Sequence, residues 1–351
     1  MAKKIKIGNK VISNKAPVFI IAEAGVNHNG KLDLALKLVD AAVYAGADAV
    51  KFQTFKAEQV VTGTGKMAEY QKRNTGRTES QVNMLRKLEF DESWYQQVMA
   101  YSKKKGIIFL STPHGHIESA NLLNKLAVPA FKIGSGDITN QPLLEHVARF
   151  GKPMILGTGM ATLKEVGDAA KWIKSAGNGK IIFLHCTTNY PCPFREVNLK
   201  AMQTMMKTLP DVLVGYSDHT EDCLVSSLAV AMGACVIEKH LTLDKGMVGP
   251  DHKASSGPEE FKNAVKAIRN IQVIMGSGLK KPVANEIKNI LVARKSIVSL
   301  KFIKRGDKFT KDNLGIKRPG KGIQPKHYQS LLGKLAKRNI AGDGLIKKGD
   351  W

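Results

Sequence analysis

Eight short apolar runs recur along this 351-residue chain, and most of the gaps between them carry a pattern of helical period. The runs lie at 18–22, 49–52, 107–110, 130–133, 154–156, 181–184, 212–214 and 234–237. The helical patterns lie at 32–44, 94–105, 117–126, 143–150, 163–176, 199–209 and 223–232, and a last one, 258–275, opens with Gly-Pro-Glu-Glu. Short runs of small and β-branched residues read as strands buried on both faces, which is how a parallel sheet covered by helices reads. Eight strands alternating with eight helices predict an α/β protein built as a closed (β/α)8 TIM barrel. A doubly wound open sheet is the alternative. It would carry a Gly-rich phosphate turn after its first strand, and Ala24-Gly-Val-Asn-His-Asn-Gly30 lacks that fingerprint. Before the first run, Lys4 to Ile12 alternates around Gly8-Asn9 and reads as a hairpin lid at one barrel end.

A barrel puts its chemistry where its strands end. Here the runs break into polar residues: Glu23 after the first, Lys51 and Gln53 at the second, Ser111 and Thr112 at the third. Lys132 and Ser135 follow at the fourth, Thr158 at the fifth and His185-Cys-Thr-Thr-Asn-Tyr190 at the sixth. The seventh ends in Ser217-Asp-His219 and the eighth in Glu238-Lys-His240, with Gly249-Pro-Asp-His252 beyond it. Two histidines at neighbouring strand mouths, each beside a carboxylate, suit a divalent ion such as Mn or Co with positions left open for substrate or water. The plainer alternative is that they cap strands by hydrogen bonding. Lysines within strands need an anion. With Ser135, Thr158 and Ser217 they suggest a phosphate or phosphoenolpyruvate cradle, a structural carboxylate being the other candidate.

A barrel takes about 250 residues, which leaves a second domain. The character changes after Gly276-Ser-Gly278, so the expected division is 1–280 for the barrel and 281–351 for a small β-rich cap, joined by a linker helix at about 283–295. Within the cap, Arg318 sits in Lys317-Arg-Pro-Gly320, a fixed turn that aims a bidentate donor or else serves a surface ion pair. The formal charge is +24, and the segment from Lys281 on holds 18 Lys and Arg against 5 Asp and Glu. Those lysines are scattered and not interleaved with aromatics, so they read as a solvated basic surface and not as a nucleic-acid site. No apolar run approaches membrane-spanning length, and 18–22 is too short for a signal-peptide core. Cys186, Cys192, Cys223 and Cys235 show no CxxC spacing, and Cys223 and Cys235 fall in elements expected to be buried. Free thiols in a reducing cytoplasm are expected.

The motifs Phe19-Ile-Ile-Ala-Glu-Ala-Gly-Val-Asn-His-Asn-Gly30, Val50-Lys-Phe-Gln53, Phe131-Lys-Ile-Gly-Ser-Gly136, Tyr216-Ser-Asp-His-Thr220 and Glu238-Lys-His240 resemble, in order, the sialic acid (nonulosonate) synthase family. The tail with Lys317-Arg-Pro-Gly320 resembles that family's C-terminal SAF (antifreeze-like, β-clip) domain. The resemblance implies condensation of phosphoenolpyruvate with an open-chain N-acetylmannosamine-type sugar and water, giving a nine-carbon 2-keto sugar acid and phosphate. It implies a divalent metal on His219 and His240, with Mn preferred and Mg or Co as alternatives. Lys51, Thr112, Lys132, Ser135 and Ser217 match phosphoenolpyruvate-binding positions, and Glu23, Gln53, Tyr190 and Asp251 match those near the sugar. Glu238 matches a proton-transfer group, so Glu23, Lys51, Glu238, His219 and His240 form the candidate catalytic set. Thr188 is a candidate substrate contact where the neuraminate-type pattern has Asn, and Gly157 stands where it has Ser. Arg318 matches an arginine reaching the sugar's acetamido group from the partner in a domain-swapped homodimer. Tyr70-Gln-Lys-Arg-Asn-Thr-Gly76 looks closer to the legionaminate branch. Two rivals remain: a Schiff-base aldolase using Lys51 or Lys132, and a polyanion-binding protein using the basic tail.

Overall fold

The chain opens with an antiparallel hairpin, β1 (Ile5–Ile7) and β2 (Lys10–Ile12), and then supplies eight strands that all run parallel. These are β3 (Phe19–Gly25), β4 (Ala49–Thr54), β5 (Ile108–Pro113), β6 (Phe131–Ile133), β7 (Met154–Gly157), β8 (Ile181–His185), β9 (Leu213–Asp218) and β10 (Val236–His240). Their ladder runs β5-β4-β3-β10-β9-β8-β7-β6, and its end strands β5 and β6 lie side by side, so the ring is nearly closed. The computed structural model describes residues 3–76, 78–114 and 116–351, in two compact units, Met1–Gly276 and Ser277–Trp351.

The expected helices are α1 (Leu32–Ala45), α5 (Glu92–Lys104), α6 (Ile117–Lys125), α7 (Gln141–Arg149), α8 (Leu163–Ser175), α9 (Leu199–Thr208), α10 (Leu224–Ala231) and α11 (Pro258–Met275). Three short helices, α2 (Ala57–Val60), α3 (Glu69–Thr75) and α4 (Gln81–Arg86), were not legible and fill the passage between β4 and α5. Side-chain caps start several helices: Asp91 accepts from Ser93 N–H, Asn140 from Leu143 N–H, and Thr162 and Glu165 cap α8 reciprocally.

Successive side chains on a strand face opposite ways. Val18, Ile20, Ala22 and Ala24 pack outward under the helices, while Phe19 and Ile21 pack inside with Ala49, Leu110, Ala130, Ile155, Ile182, Leu184, Leu213 and Val236. Ile5, Ile7 and Ile12 join that inner cluster, so the hairpin plugs the end where the strands begin. Gly215 fits an inner position with no room to spare: a Cβ there would come 2.4 Å from the Val236 carbonyl oxygen.

The second unit has its own core of Ile297, Ile303, Phe309, Leu314, Leu331, Ala336, Ile340 and Ile346. It holds α12 (Ala284–Ala293) and an antiparallel pair, β11 (Ser296–Ser299) and β12 (Leu314–Lys317). No residue of α12 is buried. Among the described residues no helix is long and apolar enough to cross a membrane. Cys186, Cys192 and Cys235 are buried free thiols, whereas Cys223 is only half-buried because it sits at the start of α10.

Candidate active site

Extending the inward alternation past the apolar layers gives the site. Phe19 and Ile21 lead to Glu23 on β3, Ala49 to Lys51 and Gln53 on β4, and Leu110 to Thr112 and then His114 at β5. Ala130 leads to Lys132, Leu213 to Ser217 and His219, and Val236 to Glu238 and His240. All of these side chains line one cavity of about 360 Å³, together with Ser135, Thr188, Tyr190 and Asp251. Strand register sets Glu23 level with both His240 and Lys51.

The residues of opposite parity turn away. Asp218 lies beside His219 in sequence but faces outward, where it pairs with Lys239 at 3.4 Å and accepts from Ser226 Oγ. Thr158, expected in the anion cradle, instead donates its hydroxyl to the Leu184 carbonyl oxygen and does not line the cavity. Ser111 shares a hydrogen bond with Thr54. Asn189 donates to Glu196, outside the cavity wall. His114 and Cys186 line the cavity although the motif reading passed over them, and strand parity counted from Thr112 and Leu184 would have found both.

At the centre is a buried charge cluster. Lys51 Nζ lies 2.7 Å from Glu23 Oε2, 3.9 Å from Glu238 Oε2 and 3.1 Å from Thr112 Oγ1. Lys132 Nζ is 3.4 Å from Glu238 Oε1, which also accepts from Ser217 Oγ at 3.0 Å. Burial pushes the Glu23 carboxyl up to about 7 against the opposing pull of Lys51, with the Glu238 charge adding to the rise. Burial acts on Glu238 in the same sense, but Lys132 and Lys51 outweigh it and hold that carboxyl at about 2. Burial would lower Lys51, yet Glu23 and Glu238 carry it above its ordinary value. Asp251 is raised to about 6 by burial. Lys51 and Lys132 thus share this cluster with Glu238, held ionised, and with Glu23, the carboxyl that protonates more easily.

The two histidine rings stand with centroids 5.5 Å apart, and Tyr190 packs against both. His219 Nδ1 lies 2.7 Å from the Thr187 carbonyl oxygen. A carbonyl only accepts, so Nδ1 carries the proton and Nε2 keeps its lone pair. His240 Nδ1 is buried with no hydrogen-bond partner among the described residues, 3.9 Å from Asp251 Oδ2. Burial lowers His219 to about 4 and His240 well below the imidazole range, so both rings are neutral donors. This pair fits a divalent transition ion. Among the described residues no group of three or more His, Cys, Asp or Glu completes a cage, so substrate or water would fill the other positions.

Gln53 Nε2 donates to Glu23 Oε1 at 3.4 Å, and Ser135 and Thr188 share a hydrogen bond of 3.1 Å. Arg318 belongs to the second unit, where it is exposed and has no ion-pair or hydrogen-bond partner among the described residues.

Residues 38–280 match the NeuB family and residues 294–350 the SAF domain. The chain is 50% identical over 331 residues to the N,N'-diacetyllegionaminic acid synthase of Campylobacter jejuni, covering 94% of this chain and 98% of that protein. It is 46% identical to the protein of the same name from Legionella pneumophila, over 97% of this chain and 96% of that one. In structure it is similar to the N-acetylneuraminic acid (sialic acid) synthetase of Leptospira borgpetersenii serovar Hardjo-bovis. That match has a TM-score of 0.74 at 36% identity and covers 83% of this chain and 96% of the other.

Proposed function

Because the chain belongs to the NeuB family, with a TIM barrel followed by a SAF domain, we propose that it is a nonulosonate synthase joining phosphoenolpyruvate to an open-chain N-acetylmannosamine-type sugar. The products would be a nine-carbon 2-keto sugar acid and phosphate. The names of the Campylobacter and Legionella relatives favour the legionaminate type. The observation that carries this reading is the pairing of two neutral imidazoles with a buried, lysine-rich cluster in one cavity at the strands' C-terminal ends.

In the reaction, C3 of phosphoenolpyruvate forms the new bond to the aldehyde carbon, whose oxygen takes up a proton. Water adds at C2 and loses its proton, and phosphate leaves with cleavage of its C–O bond. A divalent ion on His219 and His240 would supply Lewis-acid polarisation of the aldehyde. Lys51 and Lys132 offset the phosphate and carboxylate charges, while Thr112, Ser135 and Ser217 offer hydroxyl donors. Holding both reactants in one cavity removes the entropic cost of their meeting. Of the two central carboxyls, Glu23, near 7, is better matched to proton transfer at neutral pH, and Glu238 to remaining charged. Arg318, exposed and unpaired, would reach the sugar's acetamido group from a second copy of the chain.

Lys51 is raised, the wrong direction for a Schiff-base nucleophile, which needs a depressed pKa. The deciding experiment is phosphate release from phosphoenolpyruvate with a panel of N-acetylated mannose-type sugars. Trapping of pyruvate by borohydride, with activity indifferent to chelators, would replace this reading by an aldolase.

A further inference from the structure

One titratable group that lines the cavity has no part in the chemistry above. His114 follows β5 directly, its N–H donating to the Thr54 carbonyl oxygen at 3.1 Å, and it keeps the inward parity of Thr112. Its ring lies over the backbone that links Lys132 to Ser135: a Cβ on Gly134 would stand 3.2 Å from His114 Cε1 and 3.7 Å from Nδ1. Phe55 meets the same ring edge-on, with centroids 6.2 Å apart. The imidazole is thus seated between the ends of β4 and β6.

Three charged groups bear on this ring from the elements around it. Burial is the largest influence and holds the imidazole at about 4, neutral at pH 7; Asp137 favours its protonated form, while Lys51 on β4 and Lys132 on β6 oppose it. Asp137 closes the turn Ser135–Asp137, is itself buried, and accepts at Oδ1 from Asn140 Nδ2 at 3.0 Å. An anion that offsets the two ammonium groups removes what opposes the proton, and Asp137 is left to favour it. The phosphate of phosphoenolpyruvate is such an anion. Its second pKa, at about 6, lies in the range where imidazole also exchanges a proton, and that of the carboxylate does not.

Resting on the synthase reading above, we propose that His114, backed by Asp137, is the acid–base group for the phosphate: it takes up a proton as phosphoenolpyruvate binds and gives it to the phosphate as that group leaves. In the second step the bond from C2 to the phosphate oxygen breaks, and its electron pair goes to that oxygen, which takes the proton from the ring. The C2 hydroxyl gives up its own proton as the carbonyl forms. The proton drawn in on binding is therefore returned to solution over one turnover, and the ring ends neutral.

Calorimetric titration with phosphoenolpyruvate alone, in two buffers of different ionisation enthalpy at pH 7, reads the protons taken up. The wild-type chain should take up about one proton more per site than His114→Gln, which keeps an amide donor but cannot charge. In turnover with the sugar panel, His114→Gln should lower kcat about 100-fold and move the KM for phosphoenolpyruvate far less. Wild-type kcat should fall on the alkaline side, where the bound ring loses its proton. That limb should move to lower pH in Asp137→Asn, which keeps the ring but removes the charge that favours the proton. Equal proton uptake in wild type and His114→Gln, a kcat within about threefold of wild type, or an unmoved limb in Asp137→Asn overturns the proposal; normal wild-type turnover leaves the synthase reading standing. Wild-type protein that releases no phosphate with any sugar of the panel sinks the synthase reading and this inference with it.

Discussion

Lys132 and Glu238 meet inside the barrel mouth with Nζ 3.4 Å from Oε1, both side chains almost wholly removed from water. Each makes the other's burial tolerable, because an ion pair broken on one side leaves an uncompensated buried charge. Lys132→Met keeps the stem and removes the ammonium. We expect the KM for phosphoenolpyruvate to rise about tenfold or more while the KM for the sugar moves little. A change confined to the sugar would place Lys132 in the wrong subsite.

His219→Ala and His240→Ala should each abolish turnover yet leave the fold intact, since both rings lie above the apolar layers of the inner core. Circular dichroism and thermal melts check the fold. Chelator-treated wild-type protein should be inactive and recover on addition of Mn. Full activity after chelation would end the metal assignment.

The two acids should separate kinetically. Glu23→Gln removes the carboxyl poised near neutrality and should lower kcat by about a hundredfold or more, the usual scale for a proton-transfer group. Glu238→Gln leaves Lys51 and Lys132 without their shared counter-ion and should act mainly through binding of phosphoenolpyruvate. Identical kinetic signatures for the two variants would contradict the division.

Much of this is legible in the sequence. The eight runs are strands because a sheet buried on both faces needs apolar residues on both, and that pattern survives in sequence. The strands outran the runs, β10 reaching His240 and β4 reaching Thr54, because ladder bonds join backbones whatever the side chains are. Adjacency misled at Asp218 and Thr158, which have the opposite parity to Ser217 and Gly157. The helices α2, α3 and α4 are not legible for another reason. At four, seven and six residues they are too short for a period to show, and they are held by tertiary contacts such as Asn74 with Pro250.

His28, which does not itself line the cavity, gives a pH test of stability. Buried against Phe52 and Phe90, it accepts from Gly30 N–H through Nδ1, and burial, helped by the nearby His252, lowers it to about 3. The folded state thus holds the ring neutral while the unfolded chain protonates it near 6.5. Its contribution is complete above pH 6.5 and is lost as pH falls from there toward 3. The slope reaches about 1.4 kcal/mol per pH unit for one proton. Urea midpoints between pH 7.5 and 4.5 should fall less steeply in His28→Gln, which keeps an acceptor but cannot charge. Parallel curves would refute the assignment.

The assembly proposal has its own check. Mixing inactive His240→Ala protein with inactive Arg318→Ala protein should restore part of the activity if a site takes its arginine from a second copy. With subunit exchange verified, no recovery means that Arg318 works within its own chain or not at all.

The strict in-and-out alternation also works as a reading frame. Dropping one residue ahead of Ser217 would turn Asp218 and Thr220 into the cavity and send Ser217 and His219 out beneath the helices, exchanging the whole reactive row of β9 for its structural one. The strands of this mouth are therefore open to change by substitution but closed to single-residue insertion and deletion. Variation in length has to be carried by passages such as 55–91, where no frame is kept. A library that shortens or lengthens the passage 55–91 should yield folded proteins, and one that does the same within β9 or β10 should yield none.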